Sequence, residues 1–258
     1  MSIAALQEGL TMSQRLTWRQ TPDEGFFDAY TQAHAAYVAA AEQPAGTGAV
    51  PASERLLAEL LGDVHTELSA RRGVGQEDQA AYADILNRAY GEGGMLDPVG
   101  FLKSLTPAEL AIVQRNHCLA DRIDPAGLSR EGAYNLLLPE GWRADFNHDD
   151  IVEVGAGRTI QFPPSDAPPE FLDAWFAATR DMKEMDAASY GLMMFTAMHT
   201  LPIGDAPMQR TLPPESTDSY RQVVANHLDM IERLRGQLAE GQYERDKAFF
   251  GLLQRLLG

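Results

Sequence analysis

A chain of 258 residues with 45% apolar and 22% charged side chains has the composition of a folded protein, long enough to bury a core as one large domain or two helical regions. Its 37 acidic against 21 basic residues, a net charge of −16, leave no basic stripe to displace counterions from a phosphate backbone, which excludes nucleic acid as the expected partner. A single cysteine, Cys118, rules out an intrachain disulfide and any thiolate metal cluster.

The N-terminal stretch MSIAALQEGLTMSQRLTWRQ lacks the charged start, long apolar run and cleavage site of a secretory signal, so the cytoplasm is the expected compartment. A helix is expected near 22–41, followed by the linker EQPAGTGAVPA over 42–52. Ser53 is a candidate N-cap for an amphipathic helix over 53–70, whose apolar face carries Leu56, Leu57, Leu60, Leu61, Val64 and Leu68. A further helix near 77–90 ends at the punctuation GEGG, Gly91 to Gly94.

The stretch LTPAELAIVQ carries a complete start signal: Thr106 can cap, Pro107 suits the first helical position and Glu109 closes a capping box. The helix should run from 107 to about 122. Cys118 then reads as a buried small hydrophobe, and its neighbour His117 points about 100° away, so the two cannot form a nucleophile and base. Ser129 opens a short helix that carries Leu136, Leu137 and Leu138 before Pro139 stops it.

Strand signals are confined to Ile151–Val154 and Thr159–Phe162, a hairpin around GAG at Gly155 to Gly157, and PPSDAPPE beyond it reads as a rigid extended connector. Helices are expected near 167–180 and 186–199. The apolar run SYGLMMFTAMHTL is too short for a membrane span of about 20 residues. Met182, Met185, Met193, Met194 and Met198 have helical spacing and read as core or as a partner groove. Two last helices, one with the apolar face Tyr220, Val223, Val224, His227, Ile231, Leu234 and Leu238 and one with Phe249, Leu252, Leu253, Leu256 and Leu257, are separated by Gly241. The sum is a mainly α protein, bundle-like, with one small β-hairpin; its helical regions divide into 1–95 and 96–258, with a single domain left open.

Between the short helix and the hairpin lies DFNHDDIVE, Asp145 to Glu153, with four carboxylates and one amide in nine residues. A hard cation takes six to eight oxygens, and a tight loop delivers them from alternate positions. Asp145, Asn147 and Asp149 supply that spacing, Ile151 would add its backbone carbonyl, and Val152 would anchor the loop to a core. This D-x-N-x-D pattern resembles the start of EF-hand and dockerin calcium loops, with two departures. Asp150 stands where those loops have the glycine of the sharp turn, and Ala156 stands in place of the twelfth-position acid. The segment also resembles the integrin-type FG-GAP calcium loop, which ends its ligand set at position nine and exits as a strand; that resemblance makes Glu153 the last ligand. The flanking segments LSREGAYNLLLPEG and TIQFPPSDAPPEFLDAWF are similar to uncharacterised bacterial helical proteins, which implies no activity. The resemblances imply calcium binding and carry neither fold nor partner. Without the twelfth acid, affinity should be weak, about 10⁻⁵ to 10⁻³ M.

Six histidines, at 34, 65, 117, 148, 199 and 227, form no H-E-x-x-H pair. GAG lacks the context of a dinucleotide fingerprint, and neither a phosphate-binding G-x-x-x-x-G-K loop nor a G-x-S-x-G elbow occurs. The sequence therefore reads as a non-enzymatic protein with a structural Ca2+ held by Asp145, Asn147, Asp149, Ile151 and Glu153, acting through an unidentified protein partner. The alternative is a metal-dependent hydrolase assembled from histidines of several helices.

Overall fold

The computed structural model describes residues 9–42, 52–200 and 208–258. Among these, the helices are α1 (Met12–Thr17), α2 (Phe26–Ala41), α3 (Ala52–Leu61), α4 (Asp63–Arg72), α5 (Gln76–Gly91), α6 (Pro98–Ser104), α7 (Pro107–Asn116), α8 (Arg130–Leu136), α9 (Pro169–Thr179), α10 (Glu184–Met198), α11 (Thr217–Leu234) and α12 (Gln242–Leu257). The strands are β1 (Ile151–Val154) paired with β2 (Gly157–Ile160), and β3 (His199–Thr200) paired antiparallel with β4 (Gln209–Arg210). The protein is mainly α with a small hairpin, as its periodicity requires. The linker expected over 42–52 lies outside the described residues except at its two ends. No described helix is long and apolar enough to cross a membrane.

The chain forms two compact units. One contains the described residues of Arg19–Phe146 and Ile151–Thr159; the other contains Gly9–Trp18, Asn147–Asp150 and the described residues of Ile160–Gly258.

In the first unit, the start of α7 is built as its residues dictate. The Thr106 hydroxyl accepts from the Glu109 amide at 3.2 Å, and the Glu109 carboxylate accepts from the Thr106 amide at 2.8 Å. The end differs from the expected residue 122. Cys118 adopts φ 51°, its amide donates to the Arg115 carbonyl, and the Leu119 amide reaches the Gln114 carbonyl. These two bonds close a left-handed helix terminus of the kind glycine usually makes, and they place Cys118 at an exposed turn rather than in the core.

The helix expected over 53–70 is likewise two helices. Gly62, at φ 84° and ψ 161°, adopts a conformation essentially closed to residues with a Cβ, and the chain turns there between α3 and α4.

The core of this unit is dominated by Tyr30, Tyr82, Leu86, Leu102, Val113, Leu136, Leu137 and Leu138, all fully buried. Three consecutive leucines bury together because α8 ends at Leu136, so the next two residues leave helical geometry within the core. An aromatic group joins them: Phe26 and Trp142 have ring centroids 4.6 Å apart, and Tyr30 and Tyr90 4.8 Å.

The second unit packs by aromatic stacking. Phe171 of α9 lies on Tyr220 of α11 at 3.6 Å, and Tyr190 of α10 on Phe249 of α12 at 3.9 Å. Gly241, at φ 71°, separates the last two helices as expected. The methionines do not share one environment. Met194 and Met198 are buried, whereas Met185 is 75% exposed. The short α1, absent from the sequence expectation, is tied down by the Gln14 amide, which donates to the Phe176 carbonyl and to Thr179 Oγ1.

Truncating Leu137 to alanine should lower unfolding stability by about 2 to 5 kcal/mol, and Thr106→Ala by about 1 kcal/mol. Urea unfolding midpoints measure both; a smaller loss for Leu137→Ala than for Thr106→Ala would contradict this account of the core.

Candidate functional site

Helix α8 grips both legs of the acidic loop with one face. Glu131 and Asn135 are four residues apart and therefore on the same side of the helix. The Glu131 carboxylate accepts from the Phe146 amide at 2.9 Å and the Glu153 amide at 2.8 Å. Asn135 accepts from the Ala144 amide and donates to the carbonyls of Ala144 and Glu153, all within 2.7 to 2.8 Å.

Gly132, between them, receives the hairpin turn. Its carbonyl accepts from the Gly155 amide at 2.9 Å, and a Cβ there would meet the Gly155 carbonyl oxygen at 2.2 Å. Only glycine permits that approach. Sequence reasoning missed these three residues because nothing in R-E-G-A-Y-N announces what its helix will pack against.

Within the loop, Asn147 Oδ1 accepts from the Asp149 amide at 3.2 Å, the local turn that asparagine favours. His148 and Asp150 both adopt left-handed backbone, with φ 52° and 63°. Asp150, at the position of the calcium-loop glycine, thus makes a turn of the glycine type. Val152, the expected anchor, is 1% exposed.

The five residues expected as ligands stand on this one continuous segment in different surroundings. Asp145 is buried. The Asn147 side-chain amide donates to the Asp149 carboxylate at 3.1 Å. Ile151 opens β1. Glu153 accepts from the Ser129 hydroxyl and lies 3.6 Å from the Arg158 guanidinium. Burial raises the carboxyl of Glu131 above its ordinary range, and the charges of Asp145 and Glu153 add to that rise against the two amide hydrogen bonds. Among the described residues no group of three His, Cys, Asp or Glu side chains is arranged to hold a metal ion.

A second polar assembly lies in the first unit and surrounds Glu140, whose side chain is 3% exposed. Its carboxylate accepts from Arg72 at 2.8 Å and from Arg143 at 3.1 Å. Burial disfavours the charged form, but Arg143, with Arg72 and Arg19, holds the carboxyl well below its ordinary value. Two histidines converge here. His65 accepts the Glu140 amide on Nδ1 and meets Asn116 Oδ1 through Nε2. His117 places Nε2 2.9 Å from the Tyr82 hydroxyl and Nδ1 3.8 Å from the Glu140 carboxylate.

The other four histidines lie elsewhere: His34 against Asp84, His148 exposed, His199 against Asp150, and His227 stacked on Phe250. The geometry around Glu140 is that of a buried ion pair with its hydrogen bonds, and both ring nitrogens of His65 are already engaged.

Burial lowers both His65 and His117 to about 4, so each is neutral at pH 7. The unfolded chain protonates them near pH 6.5 and therefore binds more protons than the folded chain between these values. Stability should be complete above about pH 6.5 and fall as pH drops toward 4, by about 3 kcal/mol for either histidine. Urea midpoints compared at pH 7 and pH 4.5 test this, and equal midpoints would refute it.

No protein-family model, curated protein or solved structure shows a significant match to this chain.

Proposed function

We propose that the protein is a non-enzymatic binding protein whose loop from Asp145 to Glu153 takes a structural hard cation, calcium by its ligand chemistry. The observation that supports this most directly is the left-handed backbone of Asp150. The one position where the sequence departs from the glycine of a calcium loop nevertheless adopts the glycine conformation. The buried anchor at Val152 and the strand exit at Ile151 are consistent with the same type of loop.

Asp145, Asn147, Asp149, Glu153 and the Ile151 carbonyl would supply the oxygens. Burial is the main reason the Glu131 carboxyl is raised, and a bound cation would offset the smaller contribution from the charges of Asp145 and Glu153. Its role is to stabilise loop and hairpin rather than to activate a substrate. The protein then acts through association with another protein. Met185 and Leu192, seven residues apart on α10 and 75% and 49% exposed, present apolar surface for that purpose.

Calorimetric titration with calcium should give a dissociation constant of about 10⁻⁵ to 10⁻³ M, lost in the Asp145→Ala/Asp149→Ala variant. Absence of heat from the unmodified protein at millimolar calcium would sink the proposal. Co-purification of stoichiometric zinc, iron or manganese would favour a hydrolase instead.

A further inference from the structure

We infer that Arg210 is a positioning residue for the acidic loop: its guanidinium holds the Asp150 carboxylate and so secures a left-handed turn that glycine makes without help. The inference rests on the cation-binding reading of this loop for its functional meaning, and on the geometry around Asp150 for its mechanism.

A residue with a Cβ is disfavoured in left-handed backbone, and aspartate reduces that cost only partly through local hydrogen bonding. The Asp150 side chain is, in addition, 1% exposed, and an ionised carboxylate at that depth requires counterions. Arg210 supplies a two-point grip, with Nη2 2.6 Å from Oδ1 and Nε 3.1 Å from Oδ2. The guanidinium is itself held by Asp166, 2.8 Å from Nη1. His199 lies opposite Arg210 in the β3–β4 register, and its Nε2 is 3.1 Å from Asp150 Oδ2. The two-residue ladder thus places the Arg210 guanidinium and the His199 imidazole beside one carboxylate. From the backbone side, the Asp150 carbonyl accepts from the Gln161 amide at 2.8 Å.

The consequence is a division of labour within the loop. Asp150 is committed to Arg210 and serves as a conformational lock. On the cation-binding reading, Asp150 is thereby not counted among the ligands. The lock and glycine are two solutions to the same backbone requirement, so either one should suffice.

Calcium titration and amide hydrogen exchange of residues 147–151 should be measured on the unmodified protein, Arg210→Met, Asp150→Gly and the double variant. Arg210→Met should weaken calcium binding on the order of tenfold and speed exchange in the loop. Adding Asp150→Gly to Arg210→Met should return affinity to that of the unmodified protein, which a residue acting only on overall stability would not do. If Arg210→Met does not fold, Arg210→Lys, which keeps the charge and loses the planar fork, takes its place. Unchanged affinity and exchange in the arginine variant, or failure of the glycine to rescue, would overturn the inference. Should the unmodified protein bind no calcium, the cation reading falls by itself, and the exchange data alone decide the lock: faster exchange in Arg210→Met, reversed by glycine, supports it, and any other pattern refutes it.

Discussion

A carboxylate taken out of water needs compensating charge or hydrogen bonds, and the most deeply buried carboxylate of each unit is held by arginine. In the first unit Glu140 is held by Arg72 and Arg143, with His117 beside it; in the second Asp150 is held by Arg210, with His199 beside it. An isolated buried charge would cost several kcal/mol, so the fold depends on these arginines remaining in place.

Glu140 and Asp150 organise different things. Glu140 brings together segments far apart in the chain: α4 through Arg72 and His65, α5 through Tyr82, and the end of α7 through His117. Its neutral histidines contribute hydrogen bonds and packing, and their burial links the stability of that unit to acidity. Asp150 instead governs a single turn. The backbone it maintains is left-handed, a conformation that glycine adopts most readily.

The loop is also restrained from α8, where Glu131 and Asn135 hold its two legs and Gly132 admits the hairpin turn. These bonds fix the amides of Ala144, Phe146 and Glu153 and the carbonyls of Ala144 and Glu153 against one helix face.

What the sequence by itself determined was local. The capping box at Thr106 and Glu109, the first hairpin strand at Ile151–Val154 and the break at Gly241 each involve residues within a few positions of one another, so residue type and spacing suffice; the second strand, expected over 159–162, begins instead at Gly157 and ends at Ile160. The apolar faces of α11 and α12 were legible in part for the same reason: Tyr220, Val223, Val224, Ile231, Phe249, Leu253 and Leu257 are buried, whereas Leu256 is exposed and Leu238 lies past the end of α11. The end of α7 was not, because Cys118 carries no mark of left-handed backbone, and the break at Gly62 was overridden by the leucine periodicity on both sides. Of the candidate site, the loop and its spacing were legible. The residues that position it were not: Glu131, Asn135 and Arg210 act through contacts made 9 to 60 residues away along the chain. The tertiary structure alone decided those contacts, because the chemistry of a carboxylate or guanidinium is written in the residue, whereas its partner is chosen by packing.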